Sequence, residues 1–402
     1  MPPPDEIRDD PGEYLVRRDT LREFNAILQR DATDTTYKYA LLRALVEIAE
    51  QESHHVRPDR DGWVAFPLGL IVERWLYYYW PFIERRWPQK HAERTRGEPG
   101  NQLSFRKRFE AVTDYYARHG GFPQFVADLQ RRGIPRAIDK AFRALQMTIR
   151  ATLTDMPMRY LGVSRYKAEY QLADFVRRST RPLPKKPLTR LDLITCLGTG
   201  LLRREYYETF RAVGGFATGA EAIFAQWAQF TARANARAKV SLADATGALL
   251  ETPPTGPNVD LASQIFRRLL KDRGQLECAW TGARIVAPGT LAVDHAIPWS
   301  LWGSNALWNL LPASAKANAS KSDRIPAPAL IDARRTPIAD YWQASHASAR
   351  EAFQSDFRVS LAGMNVDFQS GNWAATGLAS LKDKCAYLIN ERGYAPWTPN
   401  AS

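Results

Sequence analysis

The sequence predicts a mainly α N-terminal region followed by a small α+β module. Apolar residues recur at helical spacing through most of residues 36–250, a pattern typical of amphipathic helices. Proline-rich segments at residues 180–190 and 251–257 interrupt that pattern and indicate a loop or linker at each place. A short apolar run at residues 291–293 indicates a strand. We therefore expect short strands only around residues 276–295.

The first helix is predicted over residues 36–50, because Tyr37, Leu41 and Ile48 recur on one face. The same reasoning predicts the helices 67–80, 104–119, 123–132, 135–150, 205–235, 261–271 and 378–392. Gly393 ends the last of them, since glycine tolerates the left-handed conformation that follows many helices. Residues 155–170 are ambiguous, and the chain up to residue 34 is polar.

The breaks in the pattern suggest three parts. Residues 1–255 form a helical region of unknown role, with a possible further break at 180–190. Residues 256–345 form the small α+β module. Residues 346–402 form a C-terminal helical extension.

The charge balance favours a polyanionic partner. The chain has 55 Lys and Arg against 43 Asp and Glu, a net charge of +12. Nucleic acid and an anionic membrane surface both fit such a surplus. The most apolar run, residues 75–83, is far shorter than the ~20 residues that a membrane span needs, so we expect no membrane insertion.

The cysteines point to a reducing compartment. Cys196, Cys278 and Cys385 are odd in number and form no C-x-x-C pair. This pattern disfavours a disulfide framework and a four-cysteine zinc site. The first residues are neither basic nor apolar, so we expect no signal peptide and a cytoplasmic protein.

The chemistry is expected in the α+β module, on a strand and on the helix that follows it. Asp294 and His295 end the predicted strand and point to opposite faces. A turn at residues 302–304 and a helix over residues 313–321 bring Asn318 back towards Asp294. The carboxylate of Asp294 and the amide oxygen of Asn318 are hard ligands, suited to Mg²⁺ or Mn²⁺. His295 can stay neutral and take a proton from water, while Lys321 can stabilise the phosphorus centre or bind a neighbouring phosphate.

Four segments of this module resemble the HNH (ββα-metal) endonuclease family, including the HNH domain of the large RNA-guided CRISPR nuclease. They are C-A-W-T-G at 278–282, D-H-A-I-P-W-S at 294–300, N-L at 309–310 and N-A-S-K-S-D-R-I-P at 318–326. The resemblance spans about 50 residues and implies the ββα fold. It implies that His295 is the general base, that Asp294 and Asn318 hold the metal, and that Asn309 ties the loop to the strand and orients His295.

Two departures from the family pattern carry expectations about metals. Bacteriocin-type members have histidine where this chain has Asn318, which implies a weaker preference for Zn²⁺ or Ni²⁺. Many members hold a structural zinc between two C-x-x-C units. Cys278 stands where the first unit would begin, but Thr281 fills its second position. We therefore expect no structural zinc and a buried Cys278.

The resemblance implies a Mg²⁺- or Mn²⁺-dependent endonuclease that hydrolyses phosphodiester bonds, with double-stranded DNA as the expected substrate. It also suggests bacterial restriction or anti-phage defence, with possible protein partners. Two alternatives stay open: a non-catalytic DNA-binding or scaffolding protein with an HNH fold, and an RNA- or structure-selective nuclease.

Four other features of the sequence lie outside the α+β module. The aromatic run 75–80 with its flanking arginines is a nucleic-acid platform or a buried helix. The basic clusters 106–108 and 131–132 contact phosphates or are solvated helix faces, and the pair 185–186 is a further candidate for phosphate contact. The segment 198–200 resembles a phosphate loop but lacks the rest of any such motif. The histidine pair at 54–55 is interpreted as a surface feature at a helix end.

Overall fold

The computed structural model describes residues 35–52, 55–60, 62–90, 102–161, 171–213, 220–251, 259–302, 304–363 and 365–399, with Thr20, Arg22, Phe24 and Ile27. The chain divides into two compact units, Met1–Pro254 and Thr255–Ser402. The predicted break at 252–257, the turn residue Gly303, His54 and residues 162–170 and 214–219 lie outside the described residues. No helix in the described ranges is long and apolar enough to cross a membrane.

The first unit is mainly helical, as predicted. Its helices are α1 (Tyr37–Gln51), α2 (Gly69–Glu84), α3 (Arg106–Ala117), α4 (Gly121–Ala127), α5 (Arg136–Asp155), α6 (Pro157–Tyr160), α7 (Arg190–Cys196), α8 (Arg204–Val213), α9 (Ala220–Ala234) and α10 (Leu242–Leu250). A π-helical turn, Asp128–Arg132, continues α4. Most of the predicted helices have boundaries within a few residues of the observed ones. The small differences arise because apolar periodicity predicts the presence of a helix better than the positions of its ends.

A four-stranded sheet in the first unit contradicts the prediction that strands occur only around residues 276–295. Its strands are β1 (Arg57–Pro58), β2 (Trp63–Pro67), β3 (Ala173–Phe175) and β4 (Thr199–Arg203), in the order β1-β2-β4-β3. Neighbouring strands are antiparallel, and Ala65 faces Leu201 in the register of β2 and β4. The strands are short, and β4 pairs with β2 and β3 over long sequence separations, so local periodicity does not reveal the sheet.

The core of the first unit decides between the interpretations of the aromatic run. Trp75 and Trp80 are buried in α2, and Trp80 stacks on Phe122 with ring centroids 5.0 Å apart. Arg74 is also buried, and its Nη2 lies 3.3 Å from Glu52 Oε1. The run is therefore a core helix, and the hypothesis of an exposed aromatic platform is wrong for these residues.

Three other features of the first unit are also part of its packed structure. Gly200 belongs to β4, where a β-carbon would come within 2.7 Å of the Phe66 ring, so close strand packing requires glycine here. His55 is buried, which corrects the expectation of a surface histidine. Residues 180–190 form a loop inside this unit and pack through the buried Leu188.

The second unit combines short strands with helices on one core. Its elements are α11 (Asp260–Arg273), β5 (Leu276–Glu277), β6 (Arg284–Ile285), β7 (Leu291–His295), α12 (Trp299–Trp302), β8 (Leu310–Ser314), α13 (Ala315–Lys321), β9 (Ile325–Pro326), α14 (Pro328–Ala333), α15 (Arg335–Ser348), α16 (Arg350–Phe357), α17 (Trp373–Asn390) and β10 (Pro396–Trp397). β7 pairs with β8 in antiparallel fashion, and β9 pairs with β10 in parallel.

Residues of the predicted C-terminal extension share the core of the α+β module. Phe357, Trp373 and Leu381 belong to the same buried cluster as Trp280 and Trp308. Trp342 and Phe357 make an edge-to-face ring contact at 5.5 Å. The domain limits inferred from the sequence stay a prediction, but residues 346–402 contribute to the packing of the module.

Candidate active site

The site is built on a hairpin and one short helix. In the hairpin of β7 and β8, Asp294 faces Leu311 and His295 faces Leu310. α13 follows β8 directly and is capped by Ser314, whose hydroxyl accepts a hydrogen bond from the amide of Ala317 at 3.2 Å. This cap satisfies an N–H group that the first turn of a helix leaves free. The result is a ββα arrangement.

His295 is the last residue of β7 and lies on the more exposed face of that strand. Its imidazole is half-buried, and Nε2 lies 3.0 Å from the side-chain oxygen of Asn305. Because an amide oxygen only accepts hydrogen bonds, Nε2 carries the proton and Nδ1 keeps its lone pair. Burial lowers the pKa of His295, against the opposing effect of the Asn305 hydrogen bond. The imidazole is therefore neutral at neutral pH.

Asp294 points to the opposite face of β7 and is only 4% exposed. Its Oδ2 accepts a hydrogen bond from the indole N–H of Trp280 at 2.6 Å, and its Oδ1 accepts one from Lys321 Nζ at 3.1 Å. Burial raises the pKa of Asp294, while the Lys321 ammonium opposes that rise. The carboxylate is thus held in one orientation by two buried donors.

Lys321 lies elsewhere than the sequence suggested. Its side chain is 0% exposed, and Nζ donates to the backbone carbonyl of His295 at 2.7 Å as well as to Asp294. Burial lowers the pKa of Lys321, against the attraction of the carboxylate. In this geometry the ammonium orients Asp294 and the end of β7, and the expectation of a direct phosphate contact is corrected.

Asn309 fastens the loop between β7 and β8. Its side chain is fully buried, its Oδ1 accepts from the amide of Ile297 at 2.8 Å, and its Nδ2 donates to the carbonyls of Ile297 (3.0 Å) and Ser304 (3.1 Å). The Asn309 carbonyl accepts from the amide of Ala296 at 2.7 Å. These bonds tie the loop to the end of β7, whereas the direct contact with the His295 ring comes from Asn305.

Asn318 lies on α13, one turn before Lys321, and is partly exposed. Within the described part of the chain, its side chain makes no hydrogen bond, so its amide oxygen is uncommitted. α13 packs against β7. The structure thereby places Asn318 on the element next to the strand that carries Asp294.

The oxygens of Asp294 and Asn318 are of the hard type that divalent cations such as Mg²⁺ prefer. Each carboxylate oxygen of Asp294 accepts one hydrogen bond, which leaves it a second lone pair, and the Asn318 oxygen is free. No cluster of three or more His, Cys, Asp or Glu side chains at metal spacing occurs among the described residues. Mg²⁺ suits such a sparse oxygen set, because it retains several waters in most protein sites.

Cys278 and its neighbours form a turn that positions Trp280. The amide of Cys278 donates to the carbonyl of Ala283 at 2.8 Å, and the amide of Gly282 donates to the carbonyl of Cys278 at 3.0 Å. Cys278 is buried in the core. Arg334 Nη2 also donates to the Cys278 carbonyl at 3.1 Å, so the Arg334 side chain stabilises the turn.

The sequence reasoning missed four residues that support the site. Trp280 and Asn305 hold Asp294 and His295, respectively. Asp356 Oδ2 accepts from the amide of Leu307 at 2.9 Å, and Ser360 Oγ accepts from the indole of Trp308 at 2.7 Å. Trp280 lies inside a recognised motif and offered a local signal, whereas no feature near residues 356–360 links them to the loop.

Two family models match the chain. The model described as a domain of unknown function (DUF8808) matches residues 17–249, and the model described as HNH endonuclease matches residues 278–327. The second match covers the turn around Cys278, the hairpin and α13. No curated protein and no solved structure gives a significant match.

Proposed function

We propose that this chain, which belongs to the DUF8808 family, is a metal-dependent endonuclease that hydrolyses phosphodiester bonds in DNA. The observation that supports this best is the neutral, oriented imidazole of His295 beside the held carboxylate of Asp294. The match of residues 278–327 to HNH endonucleases supports nuclease chemistry on nucleic acid.

In the proposed reaction His295 is the general base. Its Nε2 proton is engaged by Asn305, so Nδ1 accepts the proton of the attacking water. The lowered pKa keeps that nitrogen unprotonated at neutral pH. A positioned base of this kind contributes roughly 10²–10⁴-fold to the rate.

Asp294 and Asn318 are the residues that we assign to Mg²⁺ or Mn²⁺, which when bound supplies charge neutralisation at the scissile phosphate. Trp280 and Lys321 hold the Asp294 carboxylate so that its remaining lone pairs keep a fixed direction. Lys321 is therefore a positioning residue in this proposal. Asn309 positions the loop that carries Asn305 and so acts through it.

DNA is the proposed substrate because the chain carries a net charge of +12 and because its site acts on the backbone, which is a polyanion. A plasmid nicking assay with Mg²⁺, with and without EDTA, tests the proposal. We expect nicks with the unaltered chain, no nicks with EDTA and none with His295→Ala. No cleavage by the unaltered chain would favour a scaffolding protein with an HNH fold. Preferential cleavage of an RNA competitor would favour an RNA nuclease.

A role in bacterial restriction or anti-phage defence belongs to the same proposal and is supported by resemblance alone. Phage plaque counts on cells that express the chain or its His295→Ala variant test it. Fewer plaques with the unaltered chain alone would support defence, and equal counts across a broad phage panel would contradict it.

A further inference from the structure

A basic loop in the first unit lies along helix α5. Arg143 Nη2 donates to the carbonyl of Lys186 at 2.8 Å, which fixes the end of the loop beside the first half of α5. Farther along, Arg150 Nε donates to the carbonyl of Leu197 at 2.8 Å. The amide of Arg181 donates to the carbonyl of Cys196 at 2.9 Å. The loop therefore follows α5 from the neighbourhood of Arg150 to that of Arg143.

Basic residues of α5 lie on the helix face that borders this loop. Arg136, Lys140 and Arg143 are spaced i, i+4 and i+7, so they share one face of the helix. Since Arg143 contacts the loop, that face borders Lys185 and Lys186. The three positions span about 10 Å along the helix axis.

Arg132 joins the same region just before α5. The next residue, Gly133, packs so closely on the loop that a β-carbon would come within 2.7 Å of Pro187. The amide of Ile134 donates to the carbonyl of Leu188 at 2.9 Å. Two basic segments far apart in sequence, near residues 132 and 185, thus meet at the start of α5.

Most of these charges are not neutralised locally. Arg132, Arg136, Lys140 and Lys185 are exposed and have no ion-pair partner within the part of the chain that the structure describes. The carboxylates of this region are engaged, Asp139 Oδ2 with Arg143 at 2.6 Å and Asp192 Oδ1 with Lys186 at 3.5 Å.

The third basic cluster of the sequence does not join this surface as a unit. Arg106 is buried, and it donates from Nε to Glu110 at 3.0 Å and from Nη1 to the carbonyl of Trp87 at 3.2 Å. Lys107 and Arg108 are exposed. They lie near the C-terminal end of α5, because the nearby Ser104 Oγ is 2.5 Å from the hydroxyl of Thr152.

We propose that Arg132, Arg136, Lys140 and Lys185, named here the basic ridge, bind the phosphate backbone of double-stranded DNA. The choice of DNA as the polyanion rests on the proposed function. A length of about 10 Å equals about three of the 3.4 Å spacings between successive phosphates of one strand, measured along the duplex axis. Residues 255–402 contain nearly balanced acidic and basic residues, so most of the surplus charge lies in the first unit. The ridge supplies the affinity that the nuclease module lacks.

The test measures binding of a fluorescein-labelled DNA duplex by anisotropy across a NaCl series. The full-length chain carries His295→Ala and the buffer contains EDTA, so that no cleavage interferes. The slope of log affinity against log salt decreases by about 0.9 for each phosphate contact that is lost. We expect Arg136→Gln/Lys140→Gln and Arg132→Gln/Lys185→Gln each to lower the slope by about two.

The matched control is Lys107→Gln/Arg108→Gln, which also removes two exposed positive charges from the first unit. We expect it to leave the slope within half a unit of the parent. Equal slopes and affinities for the ridge and control variants would overturn the proposal. So would failure of the parent to bind DNA at the lowest salt, the result expected if an acidic protein is the true partner. Because cleavage is not measured, a chain that binds DNA but cuts none contradicts only the proposed nuclease function.

Discussion

Replacing Asn309 with alanine removes three hydrogen bonds of a fully buried side chain from the loop between β7 and β8. The amide and the carbonyl of Ile297 lose their side-chain partner in a buried place, and the carbonyl of Ser304 loses one in a partly buried place. A net contribution of about 1 kcal/mol for each bond gives a loss of about 3 kcal/mol, and unsatisfied buried groups raise this figure. We therefore expect Asn309→Ala to loosen the hairpin and its loop.

Hydrogen exchange measured by mass spectrometry reads this change locally. A loss of about 3 kcal/mol corresponds to exchange roughly a hundredfold faster, since about 1.4 kcal/mol is a factor of ten. The acceleration should appear in peptides that cover residues 291–314. Peptides from α1 and α2 serve as the internal reference.

Asn318→Ala is the matched control, because it truncates the same side chain at a partly exposed position without a hydrogen bond among the described residues. For Asn318→Ala we expect the free energy of opening of the hairpin, measured by hydrogen exchange, to stay within about 0.5 kcal/mol of the parent value. We also expect this variant to lose cleavage. Unchanged protection of the hairpin in Asn309→Ala would refute the reasoning that the asparagine fastens the loop.

Three further predictions concern the site itself. His295→Ala should abolish plasmid cleavage and leave the circular dichroism spectrum and DNA affinity unchanged; cutting at more than about 1% of the parent rate would contradict a general-base contribution of 10²–10⁴-fold. Asp294→Ala should lose Mg²⁺- and Mn²⁺-supported cleavage, and full activity of this variant in EDTA would refute the assignment of the metal ligands. Lys321→Met should destabilise the second unit by about 3–5 kcal/mol, because it leaves Asp294 buried without its cation. A urea titration of Lys321→Met beside Asp294→Asn/Lys321→Met checks this, since the double variant should recover part of the loss.

Asp356 and Ser360 show how the C-terminal residues support the candidate site. They accept hydrogen bonds from Leu307 and Trp308, the residues that precede Asn309. The indole of Trp342 donates to the carbonyl of Trp308 at 2.8 Å. The loop that carries Asn305 is thus held by Asn309 on one side and by α15, α16 and the residues just after α16 on the other.

The sequence alone predicted most of the helices and the candidate residues of the site. Helical spacing depends on neighbours a few residues apart, so α1, α5 and α17 could be predicted from the chain. The spacing of Asp294, His295, Asn309 and Asn318 was likewise readable as a motif, because the ββα unit is contiguous in sequence. The match of residues 278–327 to HNH endonucleases agrees with that interpretation.

Only the tertiary structure decided what those residues contact. Lys321 turned inwards to Asp294, and Asn305, which no motif marks, contacts His295. β2 and β4 paired across most of the first unit, and the basic segments near residues 132 and 185 met along α5. Each of these contacts joins positions whose proximity depends on the packing of the whole unit. Local propensity does not contain that information, because burial and long-range pairing are properties of the folded chain.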